Sequence, residues 1–343
     1  MQKITLPTGY LFVDHYHKGD LETLSIGDYG KEKNVKADFL GLTKEINGVP
    51  NGPCKPLSEK WVVTVSTQHG CTQRCTFCSV PNVPFRGNAS LDELIEQFTK
   101  AIACFPTVRY CERLNVHLAR MGEPIFNENV FSFAEWLYHN KRNFADAAGL
   151  NLIVETLHPV LTTSMPNYLK QFGDRVLHWI DIKNNLYNGQ AGLQFSINST
   201  NEEQRQAMFA GKSLTLKQLS VLAKSFPKPV GRKYCLNFAY ASTFDVDGHV
   251  IADLFDPAYF MCKITPIHNN AECRKNGIET IGGYSSYSPY KLPEESLKAA
   301  GFDVLVFVPS MDEEHGAVTC GNVVLGGSSC SGSQQVNIAG ISD

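Results

Sequence analysis

WVVTVSTQHGCTQRCTFC, residues 61–78, joins two patterns. Its first seven residues are mostly apolar or β-branched, as suits a buried strand. The remainder places Cys71, Cys75 and Cys78 within eight residues, close enough for the thiols to share one metal or cluster. A strand that delivers three thiols to the loop at its end sets the frame for the rest of the chain.

Outward from that strand, apolar β-type runs alternate with helix-type segments. LDELIEQFTKAIACF (91–105) predicts an amphipathic helix, with Ser90 as N-cap and Glu93 as its capping-box partner. RLNVHLAR (113–120), GLNLIVETL (149–157), LQFSINST (193–200), YCLNFAYAS (234–242), MCKITPI (261–267) and FDVLVFVPS (302–310) read as strands. NVFSFAEWLYHN (129–140), SMPNYLKQF (164–172), TLKQLSVLAKSF (215–226) and LPEESLKAAG (292–301) read as helices, and DLFDPAYF as a short one. VLHWIDI admits a strand reading. Such alternation implies parallel strands with right-handed crossovers. The expected fold is α/β, a partial (β/α)6 TIM-like barrel over residues 61–310, with a doubly wound sheet as the alternative. A small β-rich N-terminal extension is expected over 1–60 and a cysteine-bearing loop and tail over 311–343.

The bulk numbers narrow the class. With 343 residues, 43% hydrophobic content, 19% charged residues and a net charge of −3, the chain reads as globular, without the basic footprint of a general nucleic-acid binder. No apolar run approaches the ~20 residues of a membrane span, and the start lacks a signal-peptide pattern. The expected location is cytoplasmic. Eleven cysteines, single apart from one cluster, do not resemble a secreted disulfide framework.

Three cysteines in CxxxCxxC, with no second pair, leave zinc short of its usual four ligands. Unliganded thiols and an iron–sulfur cluster are the other readings. GCTQRCTFC, with an aromatic before its last cysteine, resembles the radical S-adenosylmethionine (radical SAM) superfamily. The resemblance implies a 4Fe–4S cluster held by Cys71, Cys75 and Cys78, SAM bound to its open iron, and Phe77 among the cofactor-binding residues. MGEP (121–124) is similar to that superfamily's GGEP-type segment, which implies Gly122 and Glu123 at the methionine end of SAM.

VSTQHGCTQRCTFC further resembles the RlmN/Cfr-like branch, rRNA methyltransferases that modify position 2 or 8 of an adenosine. LQFSINSTNEEQRQAMF looks like its SLHA segment followed by an SAM-contacting Arg, which implies Ser196, Ile197 and Asn198. ITPIHNN implies His268 or Asn269 near the adenosyl group, and IVETLHP implies Glu155 or Thr156 near SAM. TCGN (319–322) resembles the segment whose cysteine accepts a methyl group, making Cys320 the candidate methyl carrier. Glu22 in LETLSIGDYG would be the counterpart of a glutamate treated as a proton acceptor. The branch's second cysteine, seven residues before the cluster, is Thr64 here. A hydroxyl cannot form the disulfide that releases product, and Cys54 is a conceivable substitute. The branch's helical RNA-binding domain has no counterpart in residues 1–60.

Three functions follow. The first is a methyltransferase acting on an RNA nucleobase through Cys320, with a flavodoxin or ferredoxin as electron donor. The second is a radical SAM enzyme that abstracts hydrogen directly from another substrate. The third is a metal-stabilised binding protein without catalysis. KEKNVK (31–36), Arg232–Lys233 and Arg274–Lys275 are candidate phosphate contacts or solvated faces, and Tyr284, Tyr287 and Tyr290 are available to stack on bases.

Overall fold

The chain begins with an antiparallel meander of β1 (Gln2–Leu6), β2 (Gly9–Tyr16) and β3 (Gly19–Ile26). A computed structural model describes residues 1–6, 9–27, 56–142, 144, 152–279, 288–307 and 323–326. In it, β3 pairs antiparallel with β4 (Trp61–Val65), Leu24 standing opposite Thr64. A short ribbon of β5 (Gln68–His69) and β6 (Gly87–Asn88) closes the base of the cysteine loop.

From β4 onward every described pairing in the main sheet is parallel. The elements are α1 (Leu91–Ala103), β7 (Tyr110–Leu118), α2 (Asn129–Asn140), β8 (Ile153–Thr163), α3 (Phe172–Asp181) and β9 (Gly192–Ser196). There follow α4 (Glu202–Met208), α5 (Leu216–Ala223), β10 (Tyr234–Tyr240), α6 (Gly248–Ala252), β11 (Phe260–Pro266), α7 (Ala271–Lys275), α8 (Ser288–Ala299) and β12 (Val304–Val306). The ten described strands of the main sheet lie in the order β1-β2-β3-β4-β7-β8-β9-β10-β11-β12. The α/β partial barrel expected from the sequence is the fold found.

Alternation along each strand separates two faces. Val63, Leu114, Val116, Leu157, Leu193, Phe195, Leu236 and Ile264 are buried in one core with residues of the helices, such as Phe98, Phe133 and Trp179. The intervening residues face the barrel lumen: Thr64, Asn115, His117, His158, Gln194, Asn237 and Lys263. Helix α1 starts where the sequence signals it. Ser90 Oγ accepts the Glu93 N–H at 3.1 Å, and the Glu93 carboxylate accepts the Ser90 N–H at 2.7 Å.

One stretch differs from expectation. β8 runs on to Thr163, and the helix occupies Phe172–Asp181 rather than 164–172. VLHWIDI is therefore helix, not strand. Phe172, Val176, Trp179 and Ile180 are its buried residues, the spacing of one helical face. Met165 takes a φ of 59° immediately before Pro166, which stops the strand and delays the helix. The short helix placed in DLFDPAYF lies just upstream, at Gly248–Ala252.

Candidate active site

The cysteine loop leaves the C-terminal end of β4, the face on which parallel barrels gather their chemistry. Cys71, Cys75 and Cys78 are all half-buried there. Cys75 and Phe77 pack against Met208, Phe209, Ala241, Phe244, Ile267 and Cys273, whereas Cys71 and Cys78 pack against Val80, Met121 and Val323. Burial raises the Cys71 and Cys75 thiols well above the ordinary range, and the neighbouring cysteines add to it. The three sulfurs thus sense one another. Among the described residues, no three His, Cys, Asp or Glu side chains close in on one point as a single metal ion requires.

The loop is tied down through its backbone. The Thr76 N–H donates to Met208 O at 2.8 Å, Lys212 Nζ to Thr72 O at 2.9 Å, and Tyr168 Oη to Thr72 Oγ1 at 3.0 Å. Phe77 O accepts from Asn270 Nδ2 at 2.8 Å, and the Phe77 ring meets Phe209 edge-on at 5.9 Å.

MGEP follows β7 and lies against the same loop. The Thr67 and Gln68 N–H groups donate to Met121 O at 2.8 and 3.2 Å. Gly122 has a φ of 94°, and a Cβ there would lie 2.5 Å from Gln68 Cβ. Only glycine fits that approach. Glu123 is buried; its carboxylate accepts the Ser164 N–H at 2.7 Å and the Ser164 Oγ–H at 2.6 Å. Burial still raises its pKa above the usual carboxylate range, against the pull of these bonds.

Ser196, Ile197 and Asn198 reach the same end at the close of β9. Ile197 is core, wholly buried. Ser196 O and Ile197 O both accept from Arg205 Nη1, and Arg205 Nη2 donates to Leu214 O at 3.0 Å. Asn198 takes a φ of 65°, its Oδ1 accepts the Ala239 N–H at 3.0 Å, and its buried Nδ2 has no partner among the described residues. Gln73 Oε1, in the cysteine loop, is another such buried atom. His268 follows β11 at this end, is buried, and has its pKa lowered to about 4 by that burial. Asn269 beside it is exposed.

The structure does not bring Glu155 and Thr156 to this end. They lie early in β8, seven to eight residues or roughly 25 Å before its close. Glu155 accepts from Tyr110 Oη, and Thr156 Oγ1 donates to Glu112 O at 2.6 Å. Ser164 holds the position beside Glu123 instead, because β8 is longer than the sequence pattern showed. Tyr290 is buried against Tyr240 and is no stacking platform. Cys320, Cys54, Tyr284, Tyr287 and residues 31–36 lie outside the described residues.

Glu22 is fully buried in β3. Its Oε2 accepts from Arg120 Nε at 2.8 Å and lies 2.7 Å from Arg120 Nη2. Its Oε1 accepts the Leu325 N–H at 3.0 Å, while the Val323 N–H donates to Ser79 Oγ at 3.2 Å. Arg120, Ser79 and Ser164 were not marked by any motif, since each acts through a partner distant in sequence. Arg205 was visible only as the arginine trailing the SINS segment.

No family model matches the chain. It is 26% identical over 227 residues to the probable dual-specificity RNA methyltransferase RlmN of Chlorobium phaeobacteroides, covering 63% of this chain and 55% of that protein. To the dual-specificity RNA methyltransferase RlmN of Pseudomonas entomophila it is 25% identical over 225 residues, 63% of this chain and 53% of that one. The chain therefore spans about half the length of these curated relatives. The crystal structure of a radical SAM methyltransferase from Sphaerobacter thermophilus superposes with a TM-score of 0.64 at 15% identity, over 94% of this chain and 80% of that one. In sequence the chain is similar to RlmN-type RNA methyltransferases, and in fold to a radical SAM methyltransferase.

Proposed function

We propose that this protein is a radical SAM methyltransferase that acts on an RNA adenosine-like nucleobase through a methylated Cys320. Cys71, Cys75 and Cys78 would hold a 4Fe–4S cluster. Their mutual proximity and their number, three with no second pair, suit a cluster with one open iron better than they suit zinc, which takes four ligands. When bound, the cluster supplies the electron that cleaves SAM, delivered from a flavodoxin or ferredoxin. Gly122 and Glu123 would orient the methionine end of SAM, and Asn198 Nδ2 and Gln73 Oε1, buried without a partner among the described residues, are polar atoms that a bound ligand would satisfy.

One observation carries the Cys320 assignment. Val323 belongs, with Val80 and Met121, to the small cluster against which Cys71 and Cys78 pack, and three peptide links, roughly 10 Å at full stretch, separate it from Cys320. The bonds from Val323 to Ser79 and from Leu325 to Glu22 tether that segment on either side of Val324. Glu22 then serves as an anchor for the tail; both of its oxygens are engaged.

Thr64 favours a second reading. Among the described residues, its Oγ1 is buried without a hydrogen-bond partner on the lumen face of β4, where the branch has a thiol. Without that thiol, product release by a disulfide from position 64 is closed, and direct hydrogen abstraction from a substrate remains open. Peptide mass spectrometry on anaerobically purified protein decides between them. Added methyl mass on the Cys320 peptide supports the first reading. Its absence in protein that makes 5′-deoxyadenosine supports the second, and protein without iron, sulfide or SAM cleavage removes both.

A further inference from the structure

We propose that Arg113 and Arg232 form a phosphate-binding pair inside the barrel, on the strand-start side of the cysteine loop. That the phosphate belongs to a nucleotide rests on the nucleobase reading above; the site itself rests on the side chains.

Arg113 stands on the lumen face of β7 with Asn115 and His117, and its Nε donates to Asn115 Oδ1 at 3.2 Å. Arg232, just ahead of β10, reaches across the start of β9. Its Nη1 donates to Gln190 O at 3.4 Å, and would lie 3.3 Å from a Cβ on Gly192. Glycine at 192 thus leaves the space the guanidinium occupies. His158 shares the same acceptor, its Nδ1 lying 3.0 Å from Gln190 O.

Neither guanidinium has a carboxylate within ion-pairing distance among the described residues; the bonds above are to neutral oxygens. Yet the two are close enough that Arg113 helps to lower the pKa of Arg232, after burial. The imidazoles between them sense the same field. Burial and then Arg113 and Arg232 lower His158 to about 4. Burial and then Lys263, Arg232, Lys60 and Arg113 lower His117 to about 3. Glu112, the residue before Arg113, draws the Arg113 pKa back up against the effect of burial, but forms no ion pair with it among the described residues. Arg113 is exposed and Arg232 half-buried; holding the two like charges together is unfavourable, and a bound anion reverses the sign of that interaction. Two guanidinium forks match the oxygens of a phosphate better than point charges do. Arg113 lies five residues, roughly 17 Å, before the end of β7, so the phosphate would sit beneath the reacting base rather than beside the cluster.

Calorimetric titration of the whole protein with adenosine, adenosine 5′-monophosphate, inorganic phosphate and a short single-stranded RNA tests this. The monophosphate should bind at least about tenfold tighter than adenosine, and Arg113→Gln with Arg232→Gln should erase that difference. Arg113→Lys and Arg232→Lys, which keep the charge and lose the fork, should retain part of it and cover the case in which the glutamine pair fails to fold. If the monophosphate gains nothing over adenosine but RNA affinity falls tenfold in the arginine variants, the phosphate is a phosphodiester within RNA and the site stands. If folded variants bind every phosphate-bearing ligand as the parent does, the proposal is overturned. SAM cleavage by the parent protein is read in parallel. Phosphate binding without cleavage would remove the enzymatic reading and leave this site in place.

Discussion

Glu22 and Arg120 form a buried ion pair, 2.7 Å from Oε2 to Nη2, with both side chains at most 2% exposed. The pair joins β3 to the loop after β7, and through Glu22 Oε1 it also holds the backbone at Leu325. Its removal should act on two levels, the sheet and the tail.

Glu22→Gln leaves the Arg120 guanidinium buried without its counter-charge. The expected loss is about 3–5 kcal/mol of stability, read by urea denaturation. The double variant Glu22→Gln, Arg120→Met should cost less than Glu22→Gln alone, because the unpaired charge goes with its partner. A single-variant loss under about 1 kcal/mol would mean that the pair is solvated in solution.

Replacing Cys71, Cys75 and Cys78 by alanine should abolish bound iron and sulfide and the brown absorbance that accompanies them. The thiols sit on a loop outside the strands, so far-ultraviolet circular dichroism should change little. Iron retained at the parent level in the triple variant would place the metal elsewhere.

Gly122→Ala forces a side chain into left-handed backbone and onto Gln68. The conformational cost alone is roughly 1–2 kcal/mol, and the contact adds to it. SAM affinity should drop by tenfold or more while iron content stays at the parent level. Equal affinity in the variant would show that the turn after β7 does not form the methionine site.

Thr64→Cys supplies a thiol on the lumen face of β4. Under the methyl-carrier reading, peptide mapping without reductant should find the new thiol at position 64 joined to Cys320, and product release should quicken. If that thiol stays free under oxidising conditions, the two positions do not meet and the direct-abstraction reading gains.

His117, His158 and His268 have folded-state pKa values of about 3, 4 and 4, below the unfolded value near 6.5. Unfolded chain therefore binds protons that folded chain refuses. Stability is full above pH 6.5 and falls as the pH drops toward 4, by up to about 1.4 kcal/mol per pH unit for each imidazole. Urea midpoints between pH 7.5 and 4.5, in phosphate-free buffer, give the slope, and His268→Gln should flatten it by about one third.

Much of this was legible in the primary structure, and the limit has a physical cause. Period-two and period-3.6 patterns report which face of an element is buried, so β4, α1 and β10 were found close to their true bounds. The error around residues 153–181 arose where β8 outlasts its apolar alternation and Met165–Pro166 resets the phase. Cys71, Gly122 and Asn198 could be marked because their chemistry is carried by neighbours in the chain. Ser164 and Arg120 could not. Their partners, Glu123 and Glu22, are brought to them by strand length and sheet order, which no short window of sequence contains. Glu155 and Thr156 failed for the same reason, since a motif at the wrong point along a strand lands at the wrong end of the barrel.

The described strands of the main sheet lie side by side in the order in which they are synthesised, apart from the small β5–β6 ribbon. Among them, no strand is inserted between two that came before it. On a ribosome, the β1–β3 meander, built from hairpin contacts alone, can form first and offer β4 an edge. Each later strand then meets a finished neighbour on emergence, and its helix covers the seam before the next one arrives. Growth at a single edge keeps sequence-distant closures few, which favours rapid, stepwise folding. The segment carrying Val323 and Leu325 follows all of these strands. The cysteine loop can therefore stay open until that segment arrives to cover it.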